Sequence, residues 1–488
     1  MNKKNIVVFM TDQQNAKTIC TNSVAKTPNV DRFLKNAMNF TQAYCPAPHC
    51  CPSRATFFSG LYPAQHGIWH NVEVDSAISR ELFDGVKLFP ELLLENGYNT
   101  IFSGKWHVSG TEGPAQRGFQ KVLRECSTNY GRDNKGNVPR FNDWEKLYCK
   151  REKIDKSNEI KSDGRIIKEG YPSYYQYGIE ENPFGDSDTV KLACEEIENY
   201  KSDKPFFMYV GTIGPHDPYY VPQEFLDMYK DVELSLPESF SDTMEDKPAL
   251  YRRTREQFSL SKEEYIESMR RYLAFVSYED SLFGNLIDSL EKKGIMDDTV
   301  VIYLTDHGDY LGAHGLWAKG LPCFKEAYNI CAVIGGGNIT TKGENDELVS
   351  LADFSATILD IAQVPNNLNM YGKSLVPFLK KEKQENWREY ICTQTNGNEV
   401  YGIQRAVWDK KWKYVYNSFD YDELYDLEND PDEMINVCKK PENKAKVKEM
   451  CKKMWQFAYD TKDCATCGYI MVRMAPYGPG IIFEDWNF

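Results

Sequence analysis

The chain has no apolar stretch approaching the roughly 18 residues that a membrane span needs. It has no excess of basic residues and only seven histidines in 488 positions. Each shortage excludes something. With 58 basic against 72 acidic side chains the net charge is −14, and that long-range field repels nucleic acid and anionic membranes. A local basic pocket can still hold an anion against it. No targeting segment is visible, because the apolar run Ile6–Met10 is too short for a leader core and meets Thr11-Asp12 at once. A cytoplasmic location is therefore expected. The fourteen cysteines are spread rather than framed at tight spacings, and a large domain folds without disulfides, so reduced thiols are expected. What is present reads as globular: 41% hydrophobic and 27% charged residues exclude wholesale disorder. The histidines are His49, His66, His70, His107, His216, His307 and His314, all before Ala318, which places the chemistry in the first two-thirds of the chain.

The first half alternates strand and helix signals. Asn5–Met10 is a continuous apolar run ending in Thr11-Asp12, as a buried parallel strand does when it delivers a residue at its carboxyl edge. Thr27-Pro28 opens a helix through about Ala37. Leu88–Glu95 reads as a helix, Thr100–Phe102 as a short strand, Asp188–Tyr200 as an amphipathic helix and Pro205–Val210 as a buried strand. A long helix is expected over Lys262–Lys293, then strands at Thr299–Leu304 and Ala332–Ile334. This rhythm predicts an α/β fold: a large, mainly parallel sheet sandwiched by helices, with ligands at the carboxyl ends of its strands. After about Pro377 short strand-like runs surround Lys410-Lys411, and a polar helix follows at about Glu442–Tyr459. The division is therefore a catalytic domain over 1–377 and a smaller α+β subdomain with an antiparallel sheet over 378–488. The charged segment Lys150–Lys168 reads as a solvated insertion.

The most informative stretch is His49-Cys50-Cys51-Pro52-Ser53-Arg54, closed by Ser59-Gly60. Pro52 is placed to start a helix and Gly60 to end it, which puts Cys50 at a helix N-terminus that favours an anion and an activated nucleophile. Arg54, one turn in, can point back toward the same place. For an isolated cysteine, a buried structural thiol would be the better reading.

The pattern Cys50-x-Pro52-Ser53-Arg54 resembles the sulfatase signature, in which the cysteine is oxidised to formylglycine, an aldehyde that hydrates to a geminal diol. Gly104-Lys105-Trp106-His107, Pro215-His216-Asp217-Pro218, and Thr305-Asp306-His307-Gly308 with Lys319 are similar to that family's other motifs. Gly372–Leu379 and Glu423–Leu427 resemble its carboxy-terminal landmarks, so the resemblance runs along nearly the whole chain. It implies an alkaline-phosphatase-like fold and hydrolysis of sulfate monoesters, with Cys50 rather than Cys51 modified by a formylglycine-generating maturation enzyme. Asp12, Asp306 and His307, with an oxygen of modified Cys50, would hold one divalent cation. Oxygen-rich ligation favours a hard ion, and the family implies Ca²⁺ ahead of Mg²⁺ or Mn²⁺. Arg54 would orient the diol, and Lys105 and Lys319 would clamp the sulfate oxygens. His216 would protonate the leaving oxygen and His107 would deprotonate the second diol hydroxyl. The implied substrate is a small sulfated sugar, with choline sulfate or another alkyl sulfate also fitting.

Two features depart from the family pattern or sit at its margin. Many sulfatases carry two acidic residues after the first strand, where this chain has Asp12-Gln13; Gln13 offers a carbonyl oxygen to the metal but no charge. The same variant occurs in phosphonate monoester and phosphodiester hydrolases of the superfamily, which form the alternative reading. Retention of Lys105 and His107 favours the sulfatase. Asn71 matches a family asparagine that approaches the sulfo group, and equally suits a turn. His49, His66, His70 and His314 read as packing or rim residues, and Asp217 and Asp309 as groups that orient their neighbours. Cys464-Ala465-Thr466-Cys467 is a lone CxxC without a second pair. The aromatic tail Tyr477–Phe488 reads as a packing or homo-oligomer-forming segment.

Overall fold

The structure, a computed structural model, describes residues 3–126 and 177–483 apart from 21, 75–76, 257–259, 399, 468–469 and 471–476, together with the short strands at 165–166 and 174–175. The charged insertion expected over 150–168 otherwise lies outside the described residues, as does the end of the aromatic tail.

Eight strands form the main sheet: β1 (Asn5–Thr11), β2 (Ala37–Phe40), β3 (Asn99–Lys105), β4 (Lys121–Cys126), β5 (Phe206–Gly211), β6 (Thr299–Thr305), β7 (Ala332–Gly336) and β8 (Gly343–Asn345). Their order is β8-β2-β7-β6-β1-β5-β3-β4. Every neighbouring pair is parallel except the two made by β7. The expected mainly parallel sheet is thus present.

The apolar run of β1 follows from burial on both faces. Ile6, Val8 and Met10 join one core cluster and Val7 and Phe9 the other, because side chains alternate across a strand. Helix α1 (Cys50–Ser59) packs Ala55, Phe57 and Phe58 into the first cluster. Helix α2 (Asp186–Asn199) and the 32-residue α3 (Lys262–Lys293) cover the opposite face, with Tyr272, Val276 and Phe283 of α3 fully buried. Ser261 caps α3 by accepting from the Glu264 N–H, and Gly294 ends it in the left-handed region at φ +75°. Both ends are therefore locally encoded.

One expectation fails at an element boundary. The helix opened by Pro28 stops at Leu34, and Ala37–Phe40 is strand β2. Those four residues are all buried, so they show no alternation, and only pairing with β7 and β8 makes them a strand.

Beyond the main sheet, β9 (Ile391–Gly397), β10 (Tyr401–Trp408), β11 (Trp412–Asn417) and β12 (Glu423–Asp426) form a separate antiparallel sheet in chain order. Helix α4 (Lys444–Asp460) packs Val447, Met450, Met454 and Trp455 onto Val407, Tyr414 and Leu424 of that sheet. The described part of the tail is anchored there, since Trp455 Nε1 donates to the Tyr477 carbonyl at 2.8 Å. All described cysteines are free.

Candidate active site

Four adjacent strands, β6, β1, β5 and β3, end on the same side of the sheet. β1 delivers Asp12, β6 delivers Asp306 and His307, β3 ends at Lys105, and the loop after β5 carries His216. Helix α1 meets this edge with its N-terminus, so that Cys50 lies against it. The Cys50 Sγ is 3.5 Å from Asp12 Oδ1 and 3.3 Å from His307 Nε2.

Arg54 binds the two carboxylates together. Its Nε donates to Asp306 Oδ2 at 2.8 Å and its Nη2 to Asp12 Oδ2 at 2.9 Å. Its Nη1 donates to the Tyr209 hydroxyl at 2.8 Å. Lys105 Nζ adds a 2.6 Å bond to Asp12 Oδ2. Asp12, Arg54 and Asp306 are fully buried, which is tolerable only because each charge meets an opposite one. Burial pushes the Asp12 carboxyl up, and Lys105 and Arg54 outweigh it and hold it well below the usual range. Asp306 goes the other way: burial and the Asp12 charge raise it to about 6. The Cys50 thiol is pushed up by burial, but the charges of Lys105, Lys319 and His307 prevail and hold it well below an ordinary thiol.

The same geometry tests the expected cation. With the Oδ2 atoms of both aspartates committed to Arg54, their Oδ1 atoms lie 3.7 and 3.8 Å from His307 Nε2. His307 Nδ1 lies 3.0 Å from the Gly308 carbonyl; donating there turns the Nε2 lone pair toward the carboxylates, as in metal-ligating histidines. Asp12, Cys50, Asp306 and His307 thus offer donor atoms within 4.8 Å of one another. Two hard oxygens and one imidazole suit a divalent cation. Gln13, expected as a further donor, has its carbonyl engaged otherwise: Oε1 accepts from Lys319 Nζ at 2.6 Å, while Nε2 donates to Asp309 and Asp217 at 2.7 and 3.2 Å.

Lys319 Nζ also lies 2.6 Å from His216 Nε2, and His216 stands 4.0 Å from Asp12 Oδ1. His107 Nε2 lies 2.7 Å from Glu73 Oε2, a partner the sequence reading missed. Asn71 Oδ1 accepts from the Cys51 N–H at 3.0 Å and so caps α1. Of the other histidines, His66 lies 3.0 Å from Thr56 within α1, and His314 pairs with Asp242 at 2.7 Å while stacking on Phe324. His49 is buried with neither ring nitrogen hydrogen-bonded, and burial, with the charges of His307 and Lys319, lowers it to about 3, so it is neutral. Among the described residues no group of three potential metal ligands includes Cys464 or Cys467.

A nucleophilic position at a helix N-terminus, set among paired carboxylates and buried cations, defines a hydrolase of anionic esters. A family model described as Sulfatase matches residues 4–364, and one described as N-sulphoglucosamine sulphohydrolase, C-terminal, matches residues 312–460. The chain belongs to the sulfatase family and is a sulfuric ester hydrolase. Among curated relatives, a choline-sulfatase of Rhizobium meliloti is 28% identical over 452 residues, covering 90% of this chain and 83% of its own. An N-acetylglucosamine-6-O-sulfatase of Bacteroides thetaiotaomicron is 25% identical, covering 94% and 87%. A solved structure in complex with its substrate D-glucosamine-2-N,6-O-disulfate superposes with a TM-score of 0.74 at 21% identity, covering 95% of this chain and 99% of that one. A phosphonate monoester hydrolase of Agrobacterium radiobacter gives 0.75 at 17% identity, covering 94% and 96%. At those identities the two superpositions establish the fold, the alkaline-phosphatase-like one expected.

Proposed function

We propose that the protein removes sulfate from a small sulfated sugar, using formylglycine made from Cys50 by a maturation enzyme. The observation that carries this is the position of Cys50 Sγ, at the N-terminus of α1 and within 3.5 Å of both Asp12 and His307. The sugar reading draws on the match of residues 312–460 to the N-sulphoglucosamine sulphohydrolase model and on the N-acetylglucosamine sulfatase among the relatives.

Asp12, Asp306 and His307 would hold the cation, Ca²⁺ in our reading, which would polarise an oxygen at residue 50. Formylglycine there supplies, when hydrated, one hydroxyl to attack sulfur and a second whose deprotonation lets sulfate leave. Arg54 favours the ionised form of both carboxylates and holds them by their Oδ2 atoms, so that their Oδ1 atoms would serve as the ligands. Lys105 and Lys319 neutralise the sulfo oxygens, and a site closed to water makes each such contact stronger. His216, beside Lys319, supplies the leaving oxygen's proton. His107 receives the proton of the second hydroxyl. Gln13 then positions Lys319 through its carbonyl. We place the catalytic unit at residues 1–377, with the antiparallel sheet and α4 closing it from the carboxy-terminal side.

The test is a mass measurement on the Cys50 peptide after coexpression with a competent maturase. Replacement of the thiol sulfur by aldehyde oxygen is the expected result, and Cys50→Ala is expected to lose all turnover of an aryl sulfate. An unmodified thiol in a protein that still hydrolyses the ester would defeat the mechanism. A strong preference for an aryl phosphate diester would point instead to the phosphodiester reading.

A further inference from the structure

Glu73 has no role in the scheme above, yet it holds the residue assigned as its base. Glu73 Oε2 is 2.7 Å from His107 Nε2. The other ring nitrogen, Nδ1, is buried without a hydrogen-bond partner, and the imidazole lies against the thiols of both Cys50 and Cys51. A carboxylate is an acceptor only, so the bond requires the proton to sit on Nε2. In a neutral ring that leaves the Nδ1 lone pair as the acceptor.

The segment bearing Glu73 is fastened to the same helix as the nucleophile. Asn71 Oδ1 accepts from the Cys51 N–H at 3.0 Å, the Val72 N–H donates to Cys51 Sγ at 3.3 Å, and the Asn71 N–H donates to Asn398 Oδ1 at 2.9 Å. His107 itself has a backbone φ of +51°, a left-handed conformation that a non-glycine residue keeps only when its surroundings hold it there. Carboxylate, imidazole and nucleophile are therefore positioned by one connected unit. This is the order of parts by which an acid orients a general base.

We propose that Glu73 is a positioning residue: it fixes the Nε2–H form and the rotation of His107, so that Nδ1 faces residue 50 and accepts a proton from a hydroxyl there. The balance is simple, since one proton moves from that oxygen to Nδ1 and none is taken up by Glu73. The inference rests on the sulfatase reading for the hydroxyl at residue 50, but the Glu73–His107 bond can be tested without it.

Two measurements separate these layers. In protein still carrying the Cys50 thiol, imidazole ¹H–¹⁵N spectra should show a far-downfield Nε2 proton for His107, assigned by its loss in H107N. That proton should move upfield in E73Q. In matured protein with 4-nitrophenyl sulfate, E73Q should lower kcat about 10²-fold, the lower range of what a positioned base contributes, with KM changed less than about twofold. E73D, which keeps the charge, should recover part of kcat. An unchanged spectrum and kcat in E73Q would overturn the proposal, as would a loss of kcat that E73D shares in full or that raises KM in parallel. If E73Q does not fold, E73A, which also removes the carboxylate, gives the same comparison of spectrum and kcat. A wild-type enzyme that is matured yet inert toward sulfate esters would overturn the sulfatase mechanism, while the spectra would still decide whether Glu73 sets the form of His107.

Discussion

Arg54 shows how much one residue carries. It is fully buried and bonded to Asp12 and Asp306 at 2.9 and 2.8 Å. Removing one side of a buried ion pair strands the other, which costs about 3–5 kcal/mol. Arg54→Met is expected to destabilise the fold by that order in urea titrations, and less once a divalent cation saturates the two carboxylates it leaves behind. A stability equal to wild type in chelator would show that water reaches those carboxylates. Arg54 was legible in the sequence because it stands four residues after a cysteine at a helix start. Glu73 was not, because it lies 34 residues from His107 and nothing in the spacing links them. Tyr209 was read only as core within a buried strand, yet its hydroxyl accepts from Arg54.

At the level of elements, the site depends on how closely strands and helices approach beneath it. Gly104 has φ +108°, and a Cβ there would lie 1.9 Å from the Gly211 carbonyl oxygen, on the neighbouring strand in register with it. Gly104→Ala is expected to cost more than about 1 kcal/mol, because both the conformation and the space exclude a side chain. It should also shift Lys105 and lower turnover; wild-type stability in urea would refute the argument.

The loop that carries His216 rests on Asp186, the first residue of α2, which accepts from the Ile213 and Gly214 N–H groups at 2.8 to 3.0 Å. Glu279 of α3 is buried beside it with neither oxygen hydrogen-bonded. Burial and then the Asp186 charge push Glu279 well up, and burial raises Asp186 to about 6. The folded pair keeps protons that the unfolded chain releases above its ordinary carboxyl range. Stability therefore falls as pH rises from about 4 through 6. Glu279→Gln should be more stable than wild type at pH 8, with the advantage shrinking toward pH 4; an equal loss at both pH values would contradict it.

For the whole molecule, the donor atoms that could hold a cation come from residues 12, 50, 306 and 307, which the unfolded chain cannot hold together. A cation that binds only the folded state stabilises it, by about 2.7 kcal/mol at a hundredfold excess over Kd. Ca²⁺ added to chelator-treated protein should raise the melting temperature in a concentration-dependent way, and Asp306→Asn should abolish the rise. An identical rise in that variant would place the ion elsewhere. The acidic balance of −14 does not prevent a positive site, because Arg54, Lys105 and Lys319 converge inside the fold, where solvent screens them little.

The sequence by itself determined what is local. An apolar run ending in an acid marked β1 and β6 with their site residues, a long amphipathic pattern marked α3, and the cysteine–proline–arginine spacing marked α1. The tertiary structure alone decided which of these ends stand side by side. Strand order and register are set by hydrogen bonds between segments hundreds of residues apart, so periodicity along the chain does not contain them. For that reason β2 went unread, with its first residue Ala37 counted into the preceding helix, Gln13 was expected to offer the metal a carbonyl that here meets Lys319, and Glu73 went unread beside His107.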